Sequence, residues 1–348
     1  MRVVSILLLL FATPLLGKSR SKHRDLVMYF VEADGSQTAL VVTPENETIL
    51  IDGSSGGRGF RAAGLIAAIA KSAKVEKIDY LVLTHEGDAG NAPQSIAMLP
   101  VGAIVGPARN GKTAVLRQTN FLRQVSTSSG AQRLTVKPGD HLPIAGDVDA
   151  VVVSADGNLL PRPLPTGGNV NTFCRATPDR QTDSSEQARA LGTYWHYGRF
   201  RLMNLGDLTW NKEEELMCPV NRLGKVDVLA VSPGPSQRSS AALVHDLTPR
   251  IAILGDDAHN GSSPSTYDIL ETEGSLKTIW QLRSSGVGGR DHNTLDSYIA
   301  NLDNEHGGYY LKLTAHDNGA FEVYNSRNKL TRKYEAPYGF GSYKWETR

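Results

Sequence analysis

The chain has 348 residues, 40% of them hydrophobic, with 37 basic against 36 acidic side chains and a formal net charge of +1. That balance excludes a general nucleic-acid surface, which needs a basic excess, and no nucleic-acid partner is indicated. The apolar content suffices for a sizeable core, and Cys174 and Cys218 alone cannot complete a thiolate-only zinc shell.

Arg2 is followed by an apolar run from Val3 to Leu16, closed by the small residue Gly17. A basic start, a short apolar core and a small-residue end predict a secretory signal peptide over residues 1–17. The expectation is an exported protein, periplasmic or secreted, with no membrane attachment after cleavage. Residues 18–25 read as a mobile mature N-terminus, 26–330 as a single domain and 331–348 as a C-terminal tail. In an exported chain the two cysteines either close a disulfide or remain buried thiols, and the sequence leaves both open.

Leu26 to Val31, Thr38 to Thr43 and Thr48 to Ile51 have strand composition and are separated by turn residues, which predicts an antiparallel meander. Arg58 to Lys74 carries apolar residues at helical spacing. Ile78 to Leu83 reads as a buried strand emptying into a polar loop with His85, Glu86 and Asp88, and Ala92 to Leu99 reads as a helix. Ile104-Val105, Gln132 to Val136 and Val148 to Ser154 follow as strands, with a helix predicted over Thr113 to Val125.

Residues 157–185 are rich in Pro, Gly and polar side chains and read as one long connecting loop. Beyond it the strand-and-helix pattern repeats. Strands are expected over Gln187 to Trp195, Phe200 to Asn204, Val226 to Val231, Ile251 to Leu254 and Lys277 to Leu282. Helices are expected over Asn211 to Met217, Ser239 to Leu247, Pro264 to Leu270 and Thr294 to Leu302. A hairpin, Tyr309 to Thr314 with Ala320 to Tyr324, closes the pattern.

The segment Thr84-His85-Glu86-Gly87-Asp88-Ala89-Gly90-Asn91-Ala92-Pro93 resembles the metal motif of the metallo-β-lactamase superfamily, Thr-His-x-His-x-Asp-His-x-Gly-Gly/Asn-x-Pro, particularly in its secreted, competence-protein-like branch. The loop here is shorter by two residues and lacks two of the motif's three histidines. The resemblance runs from Leu26 to Asn325 and implies an α/β, four-layer αββα sandwich with its crevice at one sheet edge. In active relatives a dinuclear zinc site generates the nucleophile, because metal-bound water titrates near neutrality.

Carried over residue by residue, His85 stands at the first metal-binding position, Asp88 at the motif aspartate and Asp207, in Leu205-Gly206-Asp207, at the bridging carboxylate. The relatives' later histidine pair falls on Ser232-Pro233-Gly234-Pro235, and Asp52 takes the place of an aspartate that supports the metal loop. The plain reading of Asp207 is instead a turn or cap residue before the helix at Asn211. His292, in Asp291-His292-Asn293, reads either as a crevice contact or as the neighbour of a helix-capping Asn293. Asp256-Asp257-Ala258-His259 is a further strand-end candidate, and the Gly53 to Gly59 run lacks the Gly-Lys-Ser/Thr ending of a phosphate loop.

The resemblance therefore implies His85, Asp88 and Asp207 as metal candidates, and Asp88 with His292 as catalytic candidates. The expected cofactor is none or a single divalent metal, zinc by resemblance, and a dinuclear zinc site is not supported. The functional expectation is an exported protein with an eroded zinc site, non-catalytic or weakly active, holding a small molecule in its crevice. The alternative is a one-metal hydrolase of esters, phosphoesters or amides. A structural surface protein is a third class, and oligomeric state is not legible.

Overall fold

A computed structural model of the chain describes residues 25–33, 36–52, 60–84, 99–107, 130–174, 183–232, 239–255, 264–286, 289–302 and 308–337. The strands in chain order are β1 Leu26–Ala33, β2 Ser36–Val42, β3 Thr48–Ile51, β4 Ile78–Val82, β5 Val101–Pro107, β6 Gln132–Val136, β7 Val148–Ala155 and β8 Asn158–Leu159. They continue as β9 Gly192–Tyr197, β10 Phe200–Asn204, β11 Val228–Val231, β12 Ile251–Leu254, β13 Thr278–Arg283 and β14 Ile299–Asn301, and then β15 Tyr310–Ala315, β16 Phe321–Asn325 and β17 Thr331–Tyr334. The helices are α1 Phe60–Ser72, α2 Trp210–Met217, α3 Ala241–Leu247 and α4 Pro264–Glu271.

Among the described residues these strands form two sheets. The first runs β17-β16-β15-β1-β2-β3-β4-β5-β6, and the second β14-β13-β12-β11-β10-β9-β7-β8. The alternation of side chains along each strand decides the layers. Leu26, Met28 and Phe30 of β1 pack inward with Trp195, Leu202, Ile253 and Trp280 of the second sheet. The opposite face of the first sheet, with Leu40, Leu50 and Leu81, is covered by Ile66, Ile69 and Ala70 of α1. The outer face of the second sheet, with Met203, Leu229 and Leu254, is covered by Leu216, Leu243, Leu247 and Leu270 of α2, α3 and α4. Helix, sheet, sheet, helix is the αββα sandwich of the metallo-β-lactamase fold, as the motif resemblance implies. Among the described residues no helix is long and apolar enough to cross a membrane.

The predicted meander forms, with β1–β2 and β2–β3 antiparallel. Three other expectations need correction. The helix expected over Thr294 to Leu302 is instead a single 3-10 turn, Asp296–Tyr298, followed by β14. Pairing with β13 and the anchoring of the Asn301 side chain on the Leu282 and Tyr309 carbonyls override local helix preference there. The strand expected from Gln187 begins as a 3-10 turn and pairs only from Gly192. Ordered sheet also continues past residue 330, since β17 pairs with β16. The helices expected over Thr113 to Val125 and over residues 92–98 lie outside the described residues, as does the signal-peptide segment.

Cys174 and Cys218 form a disulfide, with Cα atoms 5.8 Å apart. It fastens the long connecting segment to the carboxyl end of α2.

Candidate functional site

Strands β3, β4 and β5 are mutually parallel, as are β10 to β13, so their carboxyl ends form rims of the two sheets. Two contacts show that the rims face each other at one end of the sandwich. Gly206, just after β10, packs against Thr84, just after β4. Arg283, ending β13, pairs with Glu32 near the end of β1 at 2.7 Å. The rims thus meet at the end of the sandwich where open α/β sheets place their ligands.

The junction at Thr84 is tightly built. Asp52, buried and in the left-handed region at φ 56°, accepts a hydrogen bond from the Thr84 amide at 2.8 Å and another from its hydroxyl at 2.7 Å. The Asp52 amide donates to the Val82 carbonyl at 2.8 Å, and the Leu191 amide donates to the Thr84 carbonyl at 2.7 Å. A carboxylate with two short donors holds its partner firmly. Asp52 thus supports the first residue of the motif loop, as the resemblance implies.

Gly206 meets Thr84 from the second sheet. Its φ is +55°, and a Cβ added to it would lie 2.9 Å from the Thr84 Cβ. Only glycine accommodates both the conformation and the approach. The Gly206 amide donates to the side-chain oxygen of buried Asn204 at 2.9 Å, which fixes the turn leading into Asp207. The Gly-Asp step is therefore brought against Thr84, the residue that precedes His85 in the sequence.

Asp207 is partly exposed in this turn and does not cap α2: the capping position is Thr209. Thr209 makes no side-chain cap; its hydroxyl donates to Asp183 at 2.7 Å. Burial pushes the Asp183 carboxyl up, but the hydrogen bonds from Thr209 and Ser185, with Lys212 nearby, outweigh it and hold the carboxyl below its usual range. The connecting segment thus reaches α2 at its start through Asp183 and at its end through the disulfide.

Beside Gly206 lies a small pocket lined by Leu205, Leu229, Val231 and Leu243, with Glu213 and Ser232 among its polar residues. Glu213 is buried and accepts hydrogen bonds from the Ser239 and Ser240 amides at 2.9 and 2.6 Å. It therefore anchors the far end of the loop in which relatives carry histidines. Sequence reasoning missed Glu213 because it sits in the run Lys212-Glu213-Glu214-Glu215, which reads as a solvated helix face. Its position in the first turn of α2 was the available signal.

His292 lies elsewhere along the rim. It stands in the 3-10 turn Arg290–His292, beyond β13. Its Nε2 is 3.2 Å from an Asp268 oxygen and its ring packs edge-on to Tyr267, both on α4. Asn293 caps no α-helix; its side chain accepts from the Ser285 amide and donates to the Ser285 and Gly289 carbonyls, stapling the loop. His85, Glu86, Asp88, the residues 233–235, Asp256, Asp257 and His259 lie outside the described residues, as does the Gly53 to Gly59 run.

Among the described residues no three His, Cys, Asp or Glu side chains group as a metal site. Asp207 is the sole one of the three metal candidates that the structure describes.

No protein-family model matches the chain, and no curated protein matches it. Solved structures resemble it at low identity. CmlA, a diiron β-hydroxylase from Streptomyces venezuelae, is 16% identical with a TM-score of 0.38, over 67% of this chain and 44% of its own. Igni18, a metallo-hydrolase from the archaeon Ignicoccus hospitalis, is 12% identical with a TM-score of 0.40, over 73% and 94%. A mutant metallo-β-lactamase from Cronobacter sakazakii is 12% identical with a TM-score of 0.31, over 73% and 76%. This chain spans about half the length of the CmlA chains it matches, 44% and 52%. At these identities and scores the likenesses bear on no residue's role.

Proposed function

We propose that this chain is an exported binding or accessory protein that uses the crevice of a metallo-β-lactamase-type sandwich without a dinuclear zinc centre. The observation that carries the reading is the Asp52–Thr84–Gly206 junction. The scaffold that would present a metal motif is kept, while the donors that the sequence supplies around it are reduced to His85, Glu86, Asp88 and Asp207. A disulfide between Cys174 and Cys218 accords with an oxidising compartment, as export requires.

The second reading is a one-metal hydrolase with ligands His85, Asp88 and Asp207. What favours it is the packing of Gly206 on Thr84, which carries Asp207 to the loop beginning at His85. Chromogenic ester, phosphodiester and amide substrates separate the two. The binding reading expects no turnover that depends on Asp207; turnover abolished by Asp207→Ala supports the hydrolase. Export is tested by mass analysis of the mature protein, expected to begin at Lys18, with retention of residues 1–17 overturning it.

A further inference from the structure

The crevice has a polar corner that the motif does not account for. Gln37 is the second residue of β2, and the alternation that sends Ala39 and Val41 into the inter-sheet core sends Gln37 to the same inner face, at the rim where β1 ends. It is 7% exposed, and among the described residues neither its side-chain nitrogen nor its side-chain oxygen has a hydrogen-bond partner. Its register partner across β1–β2 is Glu32. That carboxylate is held by Arg283, through Nη2 at 2.7 Å and Nε at 3.3 Å. Two residues beyond Arg283, Ser285 also keeps a buried hydroxyl oxygen without a partner.

Buried amides are ordinarily satisfied at both ends, because an unused donor and acceptor out of water destabilise the fold. A leucine or methionine would fill an inward strand position without that penalty. The unpaired groups also define a chemistry. Arg283 is matched by Glu32, so the corner offers no uncompensated cation to an anion. Gln37 presents a donor and an acceptor side by side, complementary to a group that does the same.

We infer that Gln37 is the recognition residue of a subsite for a neutral primary carboxamide, with Glu32 and Arg283 closing its charged side. The inference deepens the binding reading of this crevice and rests on it. The carboxamide could belong to a free small molecule or to an asparagine or glutamine side chain of a peptide, which the probes below distinguish.

The test is a nuclear magnetic resonance titration of the full-length mature protein, following the side-chain NH₂ signals of Gln37. The probes are propionamide, N-acetylasparagine N-methylamide, and propionate as a charged control of the same shape. The expected result is a saturable shift with propionamide, none with propionate, and at least tenfold weaker binding in Gln37→Met. A shift with propionamide alone assigns a small molecule; a shift with both amides extends the site to peptide side chains. If Gln37→Met does not fold, the wild-type signals decide the matter by themselves. No shift at saturating propionamide means that water alone occupies the corner and overturns the inference, as does equal binding by Gln37→Met or by propionate. Metal content, measured on the same sample, keeps the two readings apart. Failed titration of a metal-free protein removes only the subsite, whereas a saturable shift in a metal-loaded protein removes only the non-metal reading.

Discussion

Gly206 and Thr84 touch across the two sheets so closely that a Cβ on the glycine would fall 2.9 Å from that of the threonine. This contact joins the Gly-Asp step to the start of the motif loop. Gly206→Ala must both enter the left-handed region at φ +55° and push Thr84 aside. The expected loss is about 2–4 kcal/mol, combining backbone strain with overpacking. Urea denaturation measures it; a loss below about 0.5 kcal/mol would show that the two rims do not meet here.

Asp52→Ala removes the acceptor of both Thr84 hydrogen bonds and leaves a buried amide and hydroxyl without it. Each such bond to a charged group contributes about 1.5–3 kcal/mol, so the expected cost is about 3 kcal/mol or more. Thr84→Val should recover part of the double-mutant cost, since it removes the hydroxyl that Asp52 would otherwise leave unsatisfied. Additive losses in that cycle would contradict the coupling.

The disulfide closes a segment with a sequence separation of 44 residues. Loop-closure entropy at this length is worth about 4 kcal/mol, with native strain acting to reduce it. The double variant Cys174→Ser with Cys218→Ser should therefore melt well below the wild type, and reductant should reproduce the shift. An unchanged melting temperature in both experiments would mean that the connecting segment is held by its other contacts, including Asn171 on the Met217 and Ala242 carbonyls.

His196 supplies the clearest pH dependence. Burial lowers its pKa, the Arg201 guanidinium opposite it adds to this while Asp149 opposes, and the result is about 4. The unfolded histidine titrates near 6.5. Between those values the unfolded chain binds more protons than the folded one, so stability falls as pH drops from about 6.5 to about 4 and is fully present above it. Replacing His196 by Gln should flatten that limb of a stability-against-pH curve. A limb of unchanged steepness would assign the loss to other groups. Asp183 and Glu273, whose folded pKa values are lowered, lose their contribution only at more acid pH, as the pH falls through those values.

Local pattern made part of this legible in advance. The alternating runs of β1 to β3 and the turn residues between them specify a meander by themselves, and the Gly206-Asp207 step stands out because glycine precedes a carboxylate at a strand end. Asp52 could be placed through the resemblance, which implies an aspartate here that supports the motif loop. Features set by pairing between distant segments were not legible. Residues 299–301 become a strand only because β13 offers an edge. Asp183 and Thr209 are 26 positions apart, with no local sign of their contact. Nothing local marks Gln37 as buried; the packing of sheet on sheet decides it. The contact of His292 with Asp268 on α4 is likewise set between segments and has no local sign.

The central claim is that a metallo-β-lactamase-type scaffold has kept its framework and given up a metal centre. Elemental mass spectrometry of gently purified wild type and Asp207→Ala tests it most directly. The account predicts well under one zinc, or any other divalent cation, per chain in both proteins. A cation at about one per chain or more in the wild type, lost on Asp207→Ala, would contradict it.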